Sequence, residues 1–151
     1  MSLQPEFTLK LDDFAGKWTL RRKIQSDLGP DATLEGEAEF TPHDGGLRLT
    51  ESGLLQMEGQ NQSLNAVQTY HWYRSGLDIL VRFNDGKFFH SFVPERQAHA
   101  KHWCAPDQYD VKYDFARWPV WQSEWTVKGP RKSYVMVSTY ERLDVSPGIV
   151  S

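Results

Sequence analysis

An all-β fold, a single antiparallel meander barrel of roughly eight to ten strands, is what this sequence predicts. Three observations carry the prediction. Short stretches in which apolar and polar residues alternate recur along the whole 151-residue chain, and period two marks strands with one face in a core. Turns of hairpin length separate them, rich in Gly, Pro, Asn and Asp, so neighbours in sequence are expected to be neighbours in space. No helical period is sustained beyond one turn. A meander that long curls, and closing it into a barrel removes its vulnerable edges.

The elements follow in order. Leu11-Asp12-Asp13-Phe14-Ala15-Gly16-Lys17-Trp18 predicts a short helical turn, capped by Asp12 or Asp13 and ended by Gly16, with Trp18 opening a strand to about Gln25. Leu28-Gly29-Pro30-Asp31 is a turn. The cleanest alternation comes next, with Leu34, Gly36, Ala38 and Phe40 on one face and Glu35, Glu37, Glu39 and Thr41 on the other. One side of that strand belongs in water. After Pro42-His43-Asp44-Gly45-Gly46, a strand sets Leu47, Leu49, Glu51, Gly53 and Leu55 on one face, so Glu51 falls in the apolar phase. Strands are then expected from about Leu64 to Arg74 and from Leu77 to Phe83. Asn84-Asp85-Gly86-Lys87 reads as a two-residue hairpin, because glycine takes positive φ freely and Asn or Asp tolerates it. Phe88 to Val93, Ala98 to Cys104 and Tyr109 to Phe115 follow, joined by Pro94-Glu95-Arg96 and Ala105-Pro106-Asp107. The last two strands run over Val120 to Val127 and Ser133 to Leu143. Residues 1–151 are expected to form one domain, frayed at 1–6 and 145–151.

Composition narrows the function. The balance of 17 Lys+Arg against 20 Asp+Glu, net −3 with no block of one sign, argues against a nucleic-acid partner. A single cysteine makes no internal disulfide and gives no sign of an oxidising compartment. The segment Met1-Ser2-Leu3-Gln4-Pro5-Glu6 lacks the regions of a signal peptide, and no apolar run reaches membrane-spanning length. A cytoplasmic protein without a membrane partner, monomer or homodimer, is the expectation. The aromatic content of 13 %, with six Trp, six Tyr and eight Phe, suits strands and the walls of a cavity.

At Gly16-Lys17-Trp18 the chain resembles the calycin group, the lipocalin and fatty-acid-binding-protein type of barrel. That resemblance implies an arginine on the last strand packed over the tryptophan to plug the closed end. In Ser138-Thr139-Tyr140-Glu141-Arg142, Arg142 matches by position, with Tyr140 assigned to the plug beside it. A resemblance to a family of small bacterial and fungal proteins, a domain of unknown function with a lipocalin-like barrel, covers nearly the whole chain. Its segments are Phe14 to Trp18, Phe83 to His90, His102 to Tyr109, Trp125 to Tyr134 and Tyr140 to Arg142. It implies the barrel and transfers no activity.

The stretch from Phe83 to Phe115 holds three of the five histidines and the only cysteine. His90 and His102 are expected inside, on adjacent strands, with Asp107 at the strand end. Two imidazoles with a carboxylate or thiolate can hold a transition metal, but the spacing matches no metal motif, and histidines hydrogen-bonded in a polar cavity are the plainer reading. Cys104 beside either histidine can be a thiolate nucleophile; a small, buried, inert cysteine is plainer. Glu51 and Arg82 are charges in or near apolar strands, each needing a partner, water or a ligand. The Gly129-Pro130-Arg131-Lys132 turn is simplest as a solvated pair of charges; at an open mouth, Arg131 and Lys132 greet an anionic ligand instead. Trp118 and Trp121, three apart, fall on opposite faces of a regular strand, so one of them is a rim or lid residue. Trp72, Tyr109 and Trp125 complete the candidate lining. The favoured function is a binder of a small apolar or mixed-polarity molecule in the barrel interior, with no cofactor specified. The alternatives are a hydrolase or isomerase using His90, His102, Asp107 or Glu51 for proton transfer, and a haem or metal barrel with His90 or His102 as ligand.

Overall fold

Alternation decides where the chain is extended. The computed structural model describes residues 7–143, so the expected fraying at 1–6 and 145–151 lies outside it. Ten strands occupy the predicted places: β1 (Gly16–Ser26), β2 (Ala32–His43), β3 (Gly46–Met57), β4 (Ser63–Ser75), β5 (Asp78–Phe83), β6 (Phe88–Phe92), β7 (Gln97–Cys104), β8 (Asp107–Asp114), β9 (Trp121–Lys128) and β10 (Ser133–Arg142). They form one antiparallel sheet in the order β6-β5-β4-β3-β2-β1-β10-β9-β8-β7. The sheet rolls round through β1 and β10, which set Trp18 opposite Arg142 and Arg22 opposite Ser138. Along β2 the alternation is kept as burial, with Leu34, Ala38 and Phe40 inside and Glu35, Glu37 and Glu39 in water. Gly36 lies opposite Gly53, and a Cβ on Gly36 would fall 1.9 Å from the Ser52 carbonyl oxygen. Only glycine lets β2 and β3 approach that closely.

Closure is incomplete between β6 and β7, where a hairpin was expected. These two strands are the ends of the sheet order and share no ladder. The reason lies in their connection. Pro94 has no N–H to give a ladder, and its carbonyl accepts from Leu9 N at 2.9 Å, while Thr8 bridges to Glu95. The Arg96 carbonyl accepts from Phe115 N at 2.7 Å. The backbone of the would-be hairpin is therefore bonded to other segments.

The Asn84 turn is also longer than its sequence suggests. Phe83 N donates to Lys87 O and Gly86 N to Phe83 O, and four residues, Asn84 to Lys87, separate β5 from β6. The ladder then sets Val81 opposite His90 and Arg82 opposite Phe88, leaving Phe89 as the extra residue of a bulge. A bulge breaks strict alternation, and Phe89 and His90 are accordingly both buried.

The closed end is built on a 3-10 turn at Leu11–Phe14. Lys10 stands at its N-cap position, not Asp12 or Asp13; Asp13 accepts the Lys10 N–H at 2.7 Å from the third helical position. Phe14 is fully buried, its ring 5.0 to 5.8 Å from those of Phe40, Trp72, Phe115, Trp118 and Trp121. Trp118 and Trp121 share this core, contrary to the expectation of opposite faces, because 116–119 form a turn before β9 begins. Trp18 donates its indole N–H to the Phe14 carbonyl at 2.9 Å. The Arg142 guanidinium lies 3.9 Å from the Trp18 ring centroid and donates to the Ala15 and Asp13 carbonyls at 2.7 and 2.8 Å. Gly16, at φ 115°, lets the chain turn beneath it. Tyr140 is not part of this plug; it points into the barrel and stacks on Trp121 at 3.9 Å. Among the described residues no helix is long and apolar enough to cross a membrane.

Replacing Arg142 by Ala removes a cation–π contact and two carbonyl partners, an expected loss of about 1–3 kcal/mol. At about 2–4 °C per kcal/mol for a chain of this size, thermal denaturation followed by circular dichroism should show Tm falling by several degrees. An unchanged Tm would mean that Arg142 closes nothing.

Candidate functional site

Above the aromatic floor the inward alternation of β1 runs Trp18, Leu20, Arg22, Ile24, and so carries a guanidinium into the barrel. Its charge is met on all sides. Arg22 donates through Nη2 to Glu51 Oε1 at 2.7 Å and through Nε to Ser138 Oγ at 2.7 Å. The Tyr140 hydroxyl donates to the other Glu51 oxygen. Glu51 is only 5 % exposed, and the small inward residues Gly36 and Ala38 on the intervening β2 leave the way clear for the pair. Burial pulls the arginine pKa down, but the Glu51 carboxylate beside it, together with Tyr140 and Tyr70, more than offsets that and leaves it raised. Burial first, then the charge of Glu51, pushes the phenols of Tyr70, Tyr113 and Tyr140 up. All three stay neutral donors.

His90, 1 % exposed, shares a 2.8 Å hydrogen bond between Nε2 and the Tyr113 hydroxyl. Burial, with a smaller contribution from His102, lowers its pKa to about 3. It is a neutral imidazole whose Nε2 is already engaged. Among the described residues, His90 Nδ1 and Trp121 Nε1 are buried without a hydrogen-bond partner. Both residues line a void of about 20 Å³, together with Glu51, Tyr70, Ser123 and Tyr140. That space is about the size of one water molecule. The ligand-sized interior expected of the barrel is instead filled by side chains.

Along the inward faces of the strands, open volume lies at the mouth; a further cleft of about 480 Å³ runs over β7–β9 beside Gln97, His99, Lys112 and Glu124. A cleft of about 540 Å³ is lined by Tyr70, Phe83, Tyr109, Trp125, Lys132 and Tyr134, with Gln68, Thr69, Asn84 and Asp85 on its polar side. Tyr70 and Trp125 also line the void below, so they form the cleft floor. Lys132 Nζ is 3.7 Å from Asp107, and Tyr109, with a smaller part from Asp107, holds its ammonium above the ordinary lysine range.

The candidate residues divide. Tyr109 and Trp125 line the mouth, with Asp107 and the exposed Arg131 at its rim. His102 is half-buried beside them, its ring 5.6 Å from Phe89 and 6.2 Å from Tyr109. Glu51 is locked in the polar layer and Trp72 in the aromatic core. Arg82 is misplaced in the candidate set: Ile79 and Val81 take the inward phase of β5, so Arg82 lies outside, 5.7 Å over the Tyr73 ring. Cys104 is exposed rather than buried. It ends β7, the terminal strand of the sheet, where no neighbour covers it, and Trp103 beside it is 61 % exposed. Asp107 pairs with Cys104 in the ladder and turns to Lys132, away from His90. No three His, Cys, Asp or Glu side chains converge as a metal site among the described residues. Sequence reasoning missed Arg22, Ser138, Tyr70 and Tyr134. The inward phase of β1 and β10 contains the first two and was the signal available.

The chain belongs to a family of unknown function, DUF6314, whose model matches residues 14–142. No curated protein matches it. In fold it is similar to the S-type phycobiliprotein lyase CPES from Guillardia theta, with TM-score 0.63, 8 % identity, and 90 % of this chain and 92 % of that one covered. It is also similar to a protein of unknown function from the DUF3598 family of Nostoc punctiforme PCC 73102, with TM-score 0.61, 15 % identity and 93 % of this chain covered. The match spans about half of that longer chain, 52 %. At these identities the likeness is one of backbone architecture.

Two outcomes follow from the buried layer. Glu51→Ala leaves the Arg22 charge buried and unpaired, and urea denaturation should show a loss of about 3–5 kcal/mol. Below about pH 6.5, the ordinary histidine value, the unfolded chain takes a proton on His90 that the folded chain refuses until about pH 3. Stability from this group is therefore complete above pH 6.5 and falls by up to about 1.4 kcal/mol per unit as the pH drops. Tm measured between pH 7 and 4 should fall less steeply in His90→Gln; parallel curves would place the acid sensitivity elsewhere.

Proposed function

We propose that this protein binds a small molecule of mixed polarity at the mouth of its barrel rather than in the barrel depth. One observation carries the reading: the mouth offers about 540 Å³ with an aromatic floor, while the space beneath amounts to about 20 Å³. A ring laid against Tyr109, Trp125 and Tyr134 gains stacking and apolar burial. Phenol hydroxyls and the Lys132 ammonium at the edge supply the few polar contacts that orient a ligand. The polar layer below acts as a rigid support. Both Glu51 oxygens and His90 Nε2 are engaged within the protein, so these groups hold the floor instead of moving protons. The phycobiliprotein lyase shares the fold, and at 8 % identity its activity is no part of this proposal.

The test uses 1-anilinonaphthalene-8-sulfonate, a planar probe whose emission rises on leaving water. One molecule per chain is expected to bind, and Trp125→Ala is expected to weaken it by about tenfold, in line with roughly 1–3 kcal/mol for aromatic stacking by truncation. Unchanged affinity in Trp125→Ala, with the fold intact by circular dichroism, would overturn binding at the mouth.

A further inference from the structure

The mouth has a second chamber of different chemistry. Beside the aromatic cleft lies a recess of about 300 Å³ lined by Ile24, Leu28, Pro30, Ala32, Leu55 and Met57. Tyr134 and Lys132 line both spaces, so the two chambers meet along one seam. The division follows the sheet. Toward this end the inward phase of β1 to β3 contributes Ile24, Ala32, Leu55 and Met57, with Ser26 closing β1, whereas β5, β8 and β9 contribute Phe83, Tyr109 and Trp125. The two serines at the aliphatic recess are already occupied. Ser26 Oγ accepts from Leu28 N at 3.2 Å, and the Ser133 hydroxyl donates to Asp27 at 2.7 Å. The rest of that chamber's wall is mainly aliphatic, with Arg131 and Lys132 also lining it, while the neighbouring one offers ring faces, phenols and the same ammonium.

We propose that the ligand class is an alkylated aromatic: a planar ring with a polar substituent in the aromatic cleft, carrying an aliphatic chain that lies across the seam into the Leu28–Met57 recess. This rests on the mouth-binding reading above and adds what that reading leaves open, the shape and chemistry of the occupant. A purely aliphatic ligand would give the phenols and ring faces of the aromatic cleft nothing to match. A purely aromatic one would leave the aliphatic recess in water. The chain cannot run downward, because the void beneath the floor has room for about one water. The ligand therefore lies across the barrel end.

The test is a series of 4-alkylphenols from 4-ethylphenol to 4-octylphenol, titrated into the full chain below their self-association limits and read by quenching of tryptophan emission. Each methylene that leaves water should tighten binding by about two- to fourfold, until the recess is filled. Leu28→Glu, at a position 60 % exposed where folding tolerates a charge, should flatten that dependence on chain length. If the phenols bind with the same affinity at every chain length, the alkyl arm is overturned while mouth binding stands. If chain length matters equally in Leu28→Glu, the chain lies elsewhere and the proposal fails. If no member of the series binds, the mouth-binding reading falls with it.

Discussion

The constraint on which this barrel turns is the burial of one arginine. An isolated ion taken from water into a protein interior costs several kcal/mol after relaxation, so Arg22 can sit on the inward phase of β1 only if the opposing strands answer it. They do so from three directions: Glu51 on β3, Ser138 opposite it on β10, and Tyr140 bridging back to Glu51. Such a pair contributes little net stability over a hydrophobic substitute, but breaking one half of it is expensive. Its effect is geometric. The network ties β1, β3 and β10 together and divides the barrel into an aromatic plug below and an open mouth above.

The break between β6 and β7 is the second organising feature, and it explains the histidines. A regular two-residue hairpin at Asn84 would have kept β6 in strict alternation. The four-residue loop and the bulge at Phe89 instead turn two consecutive residues inward, and His90 reaches Tyr113 on β8 past the place where a ladder to β7 would run. Side-chain contacts, with Phe89 edge-on to both His90 and His102, take the place of backbone hydrogen bonds along this seam. His90 is thereby a structural imidazole, kept neutral by burial.

Nearly all of the strand pattern was legible in the sequence, because alternation is a direct consequence of one face being buried. Trp18 and Arg142 were legible as a pair through the family resemblance, and the structure joins them at 3.9 Å. Glu51 stood out as a charge in an apolar phase, yet its partner did not, although Arg22 shares the inward phase of Trp18 and Leu20 on β1. Two of the misplacements share a cause. Cys104 and the β6–β7 pairing depended on what the neighbouring strand does at the sheet terminus, whereas the phase of Ile79 and Val81 already turned Arg82 outward. Alternation gives the face of a residue, but it does not tell which strands lack a partner. Which strands do was decided by Leu9 and Thr8 bonding to the Pro94–Glu95 connection, a long-range contact with no local signature.

A filled barrel changes how function is to be sought on this fold. Barrels of this size can enclose a ligand or be packed solid, and the choice is made by the size of the inward side chains. Here Trp18, Phe40, Trp72, Phe89, Phe115 and Trp121 are all buried, and with the polar layer they consume the interior. Fold similarity alone cannot see this, since backbone architecture is shared by packed and hollow barrels alike. What distinguishes this chain is the residue pattern where the inward alternation runs out into solvent. There the β1–β3 side carries Ile24, Ala32, Leu55 and Met57, and the β5, β8 and β9 side carries Phe83, Tyr109 and Trp125. Lys132 and Tyr134 stand between the two sides. In the proposed binding mode, a solid floor beneath a chemically divided rim holds the ligand by the edges of the barrel, and recognition rests on the loops and strand ends that carry those residues.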